Sequence, residues 1–266
     1  MDADEQHAFD LFLEVYGRLP RAAPGGTEHT ERAIAARPGP PPRTVLDLGC
    51  GPGAHTLTLA RAFPDAQVLA IDLLPAMVEE AGRRIAEAEL GDRVEAQVGD
   101  MASPPVATGS QDLIWSEGAI YNVGVTEALR LWRPLLAPGG CVAFTEPVWL
   151  IESPPAEPRD WWESEYPAIT DDTGVRSHID AASFRTLTSF PLPSSAWWED
   201  YYEPMQDRVE ALASRLPDDA RALEVVAVAT SEIDMFRRFS DSYTYAFYIV
   251  QPADHRGVVA GRPDRG

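Results

Sequence analysis

Val45-Leu46-Asp47-Leu48-Gly49-Cys50-Gly51-Pro52-Gly53 decides how this chain is read. A short apolar run carrying one carboxylate passes through three glycines into the helical pattern of residues 54–63. Strand, glycine turn and helix form the opening unit of a parallel sheet, and the turn falls at the carboxyl end of the strand, where such sheets hold ligands. Glycines suit that place because a ligand can approach the backbone with no Cβ in the way, and because the turn requires φ above zero. A nucleotide cofactor is the natural occupant. Gly49, Gly51 and Ala54 also satisfy G-x-G-x-x-G/A, so the glycines alone leave the kind of nucleotide open.

Outward from the turn, short apolar runs alternate with amphipathic stretches, the signature of βαβ units. Strands are expected at residues 44–48, 67–71, 93–98, 111–115 and 141–145. Helices are expected at 54–63, 75–90 and 126–136, the last stopped by Ala137-Pro138-Gly139-Gly140. Five strands joined by right-handed crossovers make a doubly wound, Rossmann-like α/β sheet. Before it, residues 1–43 read as an arm with helices at 7–19 and 27–36, closed by a Pro/Gly linker at 38–42. Residues 44–146 form the cofactor-binding core. The stretch 147–252 adds a Pro- and Trp-rich insertion, a β-prone run at 184–190, helices at 204–216 and 218–239, and a final strand at 243–250. A frayed tail is expected at 253–266. Asp171-Asp172 and Asp218-Asp219 read as turns or helix starts.

Composition narrows the function. The 266 residues suit one large domain, and the net charge is -20, with 22 bases that are all arginine. The absence of lysine excludes a P-loop clamp, a Schiff base and a lysine general base. The acidity opposes nucleic-acid binding, which depends on basic side chains displacing counterions. Cys50 and Cys141 are too few for a disulfide framework and lie in apolar runs, as buried reduced thiols of a cytoplasmic protein would. The acidic start Met1-Asp2-Ala3-Asp4-Glu5 is unlike a signal peptide, and no run approaches ~18 apolar residues, so neither export nor a membrane is expected.

Three acids bear on the cofactor. Asp47, two residues before Gly49, would repel a pyrophosphate and suits a ligand carrying an ammonium and a sulfonium. Asp72, followed by Leu73, ends the second strand, where a carboxylate accepts from both ribose hydroxyls. Asp100-Met101 ends the third, offering a carboxylate to an adenine amino group and an apolar side chain to its ring. With these in place the sequence resembles the class I S-adenosylmethionine-dependent methyltransferase family over about residues 20–250. The matching pieces are D-L-G-C-G-P-G at 47–53, Ala70-Ile71-Asp72, Val98-Gly99-Asp100-Met101, Asp112-Leu113-Ile114-Trp115 and Leu136-Ala137-Pro138-Gly139-Gly140. Ser116-Glu117-Gly118-Ala119-Ile120-Tyr121-Asn122 looks like a bacterial small-molecule subgroup that also carries P-G-x-x-x-x-T, here Pro24-Gly25 to Thr30. The resemblance implies a seven-stranded sheet with an antiparallel last strand, S-adenosyl-L-methionine as cofactor, and Gly25, Thr30 and Tyr121 at the site.

Other candidates follow from position. Glu117 and Glu146 each follow a central strand, where a carboxylate can orient an amine, act as a base or contact the cofactor; Glu117 is assigned both a cofactor and a catalytic place. His55, in the first turn after the glycines, is expected to be solvated or against the cofactor, with its pKa depressed by the helix terminus. His178 is the substrate-side histidine candidate. Five of seven tryptophans lie after residue 148. Packing of a cap is one reading of them; the other is an aromatic acceptor pocket with Trp149, Trp197 and Trp198 beside Tyr121. No ligand spacing suggests a metal. The function read from all this is methyl transfer from S-adenosylmethionine to an oxygen, nitrogen or carbon of a small molecule, with the oligomeric state open and a homodimer one option. The alternatives are an NAD-dependent oxidoreductase, opposed by Asp47 and the absence of Tyr-x-x-x-Lys, and a non-catalytic cofactor-binding module that regulates a partner.

Overall fold

The computed structural model describes residues 2–253. The tail expected to fray lies, from residue 254 onward, outside the described residues. β1 (Thr44–Leu48), β2 (Gln67–Asp72) and β3 (Val94–Val98) run to one edge, β4 (Gln111–Ser116) and β5 (Leu136–Trp149) to the other. The sheet order is β3-β2-β1-β4-β5-β8-β7, with β7 (Phe184–Pro191) and β8 (Tyr243–Pro252) completing it. β8 is antiparallel to both neighbours while β1 to β5 are parallel, as the sequence led us to expect. A two-residue strand, β6 (Thr170–Asp171), adds to the end of β5.

Burial explains which runs became central strands. β1 and β4 are covered on both faces and are correspondingly apolar, whereas β3 at the edge exposes alternate polar residues. One face packs α2 (Thr27–Ala36), α3 (Ala54–Ala62), α9 (Glu203–Arg215) and α10 (Ala220–Phe239) around Trp115 and Phe247. The opposite face packs α5 (Val125–Trp132) and α7 (Asp172–Ala181) around Phe144 and Tyr248. α4 (Pro75–Glu87) covers β2 and β3, and α6 (Ala156–Glu165) crosses between β5 and β6. α1 (Ala3–Tyr16) lies on α9 and α10, so the arm and the cap make one cover. Asp171 and Asp219 cap α7 and α10, each accepting from a backbone N–H at 2.8 and 2.9 Å. None of the helices among the described residues is long and apolar enough to cross a membrane.

β5 is longer than the expected 141–145. It begins at Leu136 and carries Pro138-Gly139-Gly140 inside it, because Gly139 takes φ +84° and the register against β4 slips between Gln111 and Leu113. The glycines that read as a stop are an irregularity within the strand.

The tryptophans of the cap prove to be packing residues. Trp197, on the short helix α8 (Ser195–Trp197), is 3% exposed, stacks on Phe236 at 4.2 Å and meets Tyr243 edge-on at 5.8 Å. Its ring nitrogen donates to Thr244 Oγ1 at 3.1 Å, so its one polar atom is satisfied inside the core. Trp197→Ala is therefore expected to lower the unfolding free energy by about 3–5 kcal/mol and to leave ligand affinity of the folded protein unchanged. Chemical denaturation and calorimetry check the two halves, and a stable variant with lost ligand affinity would contradict this placement.

Candidate active site

The strand order reverses between β1 and β4, and a crevice of about 480 Å³ opens there at the carboxyl edge. The glycine turn forms its floor. Gly49 (φ +74°) places its backbone against the loop after β4, where a Cβ would stand 2.2 Å from that of Ala119. Gly118 (φ +65°) meets the arm in the same way, 2.1 Å from the Ala23 Cβ. No other residue type fits either place, so two glycines set how closely turn, loop and arm converge.

Asp72 stands at the rim with both oxygens anchored: Oδ2 accepts from the Gly51 N–H at 2.8 Å and Oδ1 from the Leu74 N–H at 2.9 Å. Asp72 lines the crevice between these anchors, and its neighbour Leu73 is 68% exposed on the same wall. Asp100 and Met101 line the far end, Asp100 turning its Oδ1 onto the Ala102 N–H at 2.8 Å. The Met101 carbonyl is held by the Trp132 ring nitrogen at 2.8 Å.

Glu117 lies at the inner end, completely engaged. Its oxygens accept from Arg21 Nη2 at 2.5 Å, Thr30 Oγ1 at 2.8 Å and Trp115 Nε1 at 2.8 Å. Burial alone would raise its pKa, but Arg21 first, then His55 and the Thr30 and Trp115 donors, outweigh this and hold the carboxyl below its ordinary value. Arg21, 4% exposed, also lines the crevice. Sequence reasoning missed it. Its only signal was a charged side chain three residues before Pro24-Gly25 in an arm otherwise read as helix and turn. Thr30 sits behind Glu117, and Gly25 donates to the Ala196 carbonyl at 2.9 Å, so both shape the arm without lining the crevice.

Asp47 differs from expectation in the same way. It is fully buried behind the turn, accepting from Thr56 Oγ1 at 2.5 Å, with its other oxygen 3.1 Å from His55 Nε2 but poorly aligned for a hydrogen bond. It reaches the crevice only through His55, which does line it. Burial lowers the pKa of His55 and Asp47 raises it by more, so the depressed value expected from the helix terminus is overturned by a carboxylate the sequence had assigned elsewhere.

Of the acceptor-side candidates, Tyr121 lines the crevice. His178 does not: it lies on α7, on the far side of the sheet, where its carbonyl accepts from Thr126. Trp149 ends β5 edge-on to Tyr243, and Trp198 packs on Tyr202 with Arg237 over its ring, both away from the crevice. Aromatic rings in a cap bury readily against each other, and here that contact decided their place.

Glu146 is 2% exposed, and its Oε1 accepts from the Tyr166 hydroxyl at 2.6 Å while Oε2 has no partner. Tyr166 in turn packs on Tyr121 at 5.7 Å. Burial pushes the Glu146 carboxyl up to about 8, only partly offset by Tyr166. A carboxyl raised in the folded state stabilises it below the ordinary value near 4.5, and that stability is lost as pH climbs through 8. Unfolding free energy should therefore fall between about pH 5 and 8, and Glu146→Gln should flatten that part of the profile. Parallel profiles for the two proteins would show that Glu146 is solvated.

Comparison with known proteins adds the following. Residues 45–140 match a family model described as a methyltransferase domain. Trans-aconitate 2-methyltransferase of Paracidovorax citrulli is 37% identical over 171 residues, covering 60% of this chain and 62% of that protein. The enzyme of the same name from Streptomyces avermitilis is 28% identical over 232 residues, covering 82% and 81%. The first three curated relatives are spanned over 33%, 36% and 62% of their own lengths. A solved methyltransferase from Geobacter sulfurreducens, in complex with S-adenosyl-L-homocysteine, superimposes with a TM-score of 0.78 at 22% identity, over 91% of this chain and 98% of that one. That likeness is one of fold.

Proposed function

We propose, from the premise that this chain has the class I methyltransferase fold and carries a methyltransferase domain at residues 45–140, that it moves the methyl group of S-adenosylmethionine to a small molecule. The observation that carries the reading is the crevice itself. Its floor is the glycine turn, set against the loop after β4 at a closeness that only glycine at position 49 allows, and its rim holds Asp72 with both oxygens fixed by backbone donors. These residues fit the cofactor. Asp72 would take the ribose hydroxyls, Asp100 the adenine amino group, Met101 and Leu73 the faces of the ring, and Gly49 and Gly51 the chain that joins nucleoside and amino acid.

Bound there, the cofactor supplies a methyl group on a sulfonium already activated for displacement. The protein's part is then placement and exclusion of water rather than strong acid–base chemistry. Arg21 and Glu117 close the inner end: the guanidinium, oriented by Glu117, is available to the cofactor's carboxylate, and the Glu117 charge favours its ammonium and sulfonium. His55, held by Asp47, contributes a second polar wall. Tyr121 and Asn122 mark where the acceptor enters.

S-adenosylmethionine and S-adenosylhomocysteine should raise the melting temperature, and NAD should not. Asp72→Ala removes charge-assisted hydrogen bonds worth about 1.5–3 kcal/mol, which predicts a loss of roughly tenfold or more in cofactor affinity by calorimetry. An unchanged affinity, or a stabilising effect of NAD equal to that of S-adenosylhomocysteine, would refute the assignment.

A further inference from the structure

Asp47 is a fully buried carboxylate behind the glycine turn, and among the described residues the one basic side chain within ion-pair reach of it is His55. Nε2 of that ring stands 3.1 Å from Asp47 Oδ1. Thr56 Oγ1 donates to the other oxygen, a neutral contact that leaves the charge in place. A carboxylate shut away from water favours a proton on the imidazole beside it, since the alternative is an isolated buried anion. His55 is itself only 7% exposed, and it lines the crevice. The positive charge that offsets Asp47 is thus delivered to the ligand side of the turn.

That charge lies at the inner end, where Arg21 and Glu117 are close enough to act on it. Arg21 is already engaged, its Nη2 donating to Glu117 and Thr30. With Nε2 of His55 enclosed against Asp47, Nδ1 is the donor this ring can offer the crevice. The backbone adds to it. His55 belongs to the first turn of α3, which starts at Gly53 without a side-chain cap, so the opening N–H groups of that helix have no side-chain acceptor there. An uncapped helix start and a cation on one wall suit an anion, and the anion of the cofactor's amino-acid end is its carboxylate. We propose that His55, as an imidazolium kept charged by Asp47, recognises the carboxylate of the cofactor. Asp47 then acts on binding through His55, and cofactor affinity falls as pH rises. This rests on the methyl-transfer reading and deepens it.

The charged groups acting on the ring are Asp47 from β1, Glu117 from the loop after β4 and Arg21 from the arm. Burial opposes the charged ring, but Asp47 and then Glu117 outweigh burial and Arg21, and the His55 value lies above its ordinary one. The affinity that the imidazolium contributes is complete below that value and is lost as pH climbs through it. Glu117 is held ionised and a guanidinium keeps its proton, so neither supplies such a slope near neutral pH. His29, on α2, also lies near Arg21 and Glu117, but it is outside the crevice and burial lowers its value, so it loses its charge at a lower pH than His55.

The test titrates the full chain by calorimetry with two ligands from pH 6 to 9.5. One is S-adenosylhomocysteine; the other carries a 3-aminopropyl group in place of its amino-acid end, so that the ammonium stays and the carboxylate is gone. The quantity read is the ratio of the two affinities, with His55→Gln as its baseline. At pH 6 the ratio in the parent is expected to exceed that in His55→Gln by about tenfold or more, and the two should converge as pH rises. Asp47→Asn, which can still accept from Thr56, should move the loss of the ratio to lower pH. A structural role for Asp47 would not produce that shift, and it decides the matter should the Gln variant fold poorly. No excess over the baseline, an excess that does not change with pH, or an unmoved profile in Asp47→Asn overturns the proposal while the cofactor assignment stands. Failure of S-adenosylhomocysteine to bind the parent at all overturns both.

Discussion

Arg21 and Glu117 meet 2.5 Å apart with almost no access to water, and the working shape of the crevice depends on that contact. Arg21 belongs to the arm and Glu117 to the turn after β4, 96 residues later in sequence. Joining them draws the segment 21–24 over the glycine turn, where Ala22 and Ala23 come against Gly51 and Gly118. Each partner alone would be a buried charge with nothing to offset its desolvation. Together, with Thr30 and Trp115 supplying two more hydrogen bonds, they are satisfied. The arm is thereby made a wall of the site rather than a loose extension.

The same logic of paired and unpaired charge divides the molecule. Around the glycine turn each acid has a donor or a cation beside it: Asp47 has Thr56 and the nearby His55 ring, Asp72 has two backbone N–H groups, and Glu117 has Arg21. Beyond Tyr121 the acids Glu146 and Glu232 have only phenols. Phenol hydrogen bonds satisfy a carboxyl in part but do not neutralise it, and burial accordingly raises both. The glycine-turn end is held in place by these contacts, while Glu146 and Glu232 take part in no ion pair among the described residues.

Much of this was legible in the sequence because it is written in local pattern. Val45 to Gly53 specified strand, turn and helix, and Asp72, ending β2, and Asp100, two residues past the end of β3, fell at the carboxyl edge of the sheet. The antiparallel last strand came from family resemblance, and it is present as β8. What local pattern could not supply was partnership across long separations. Asp47 and His55 lie eight residues apart on strand and helix, and only the turn between them brings the carboxylate behind the histidine instead of toward the ligand. Arg21 had no motif at all. The tryptophans misled for a related reason: an aromatic cluster has the same composition whether its rings face a ligand or each other, and Trp197 found Phe236 and Tyr243. Proline and glycine at 138–140 suggested an end to regular structure, but β5 runs through them, its register against β4 slipping there and its pairing with β8 beginning at Val142.

The most direct measurement of the central claim is a double-mutant cycle on Arg21→Met and Glu117→Gln, read as unfolding free energy by chemical denaturation. If the buried pair holds the arm to the sheet, each single change strands its partner and costs about 3–5 kcal/mol, whereas the double change costs clearly less than the sum of the two. Additive costs, or single variants as stable as the parent, would contradict the account by showing that arm and sheet are joined without that pair.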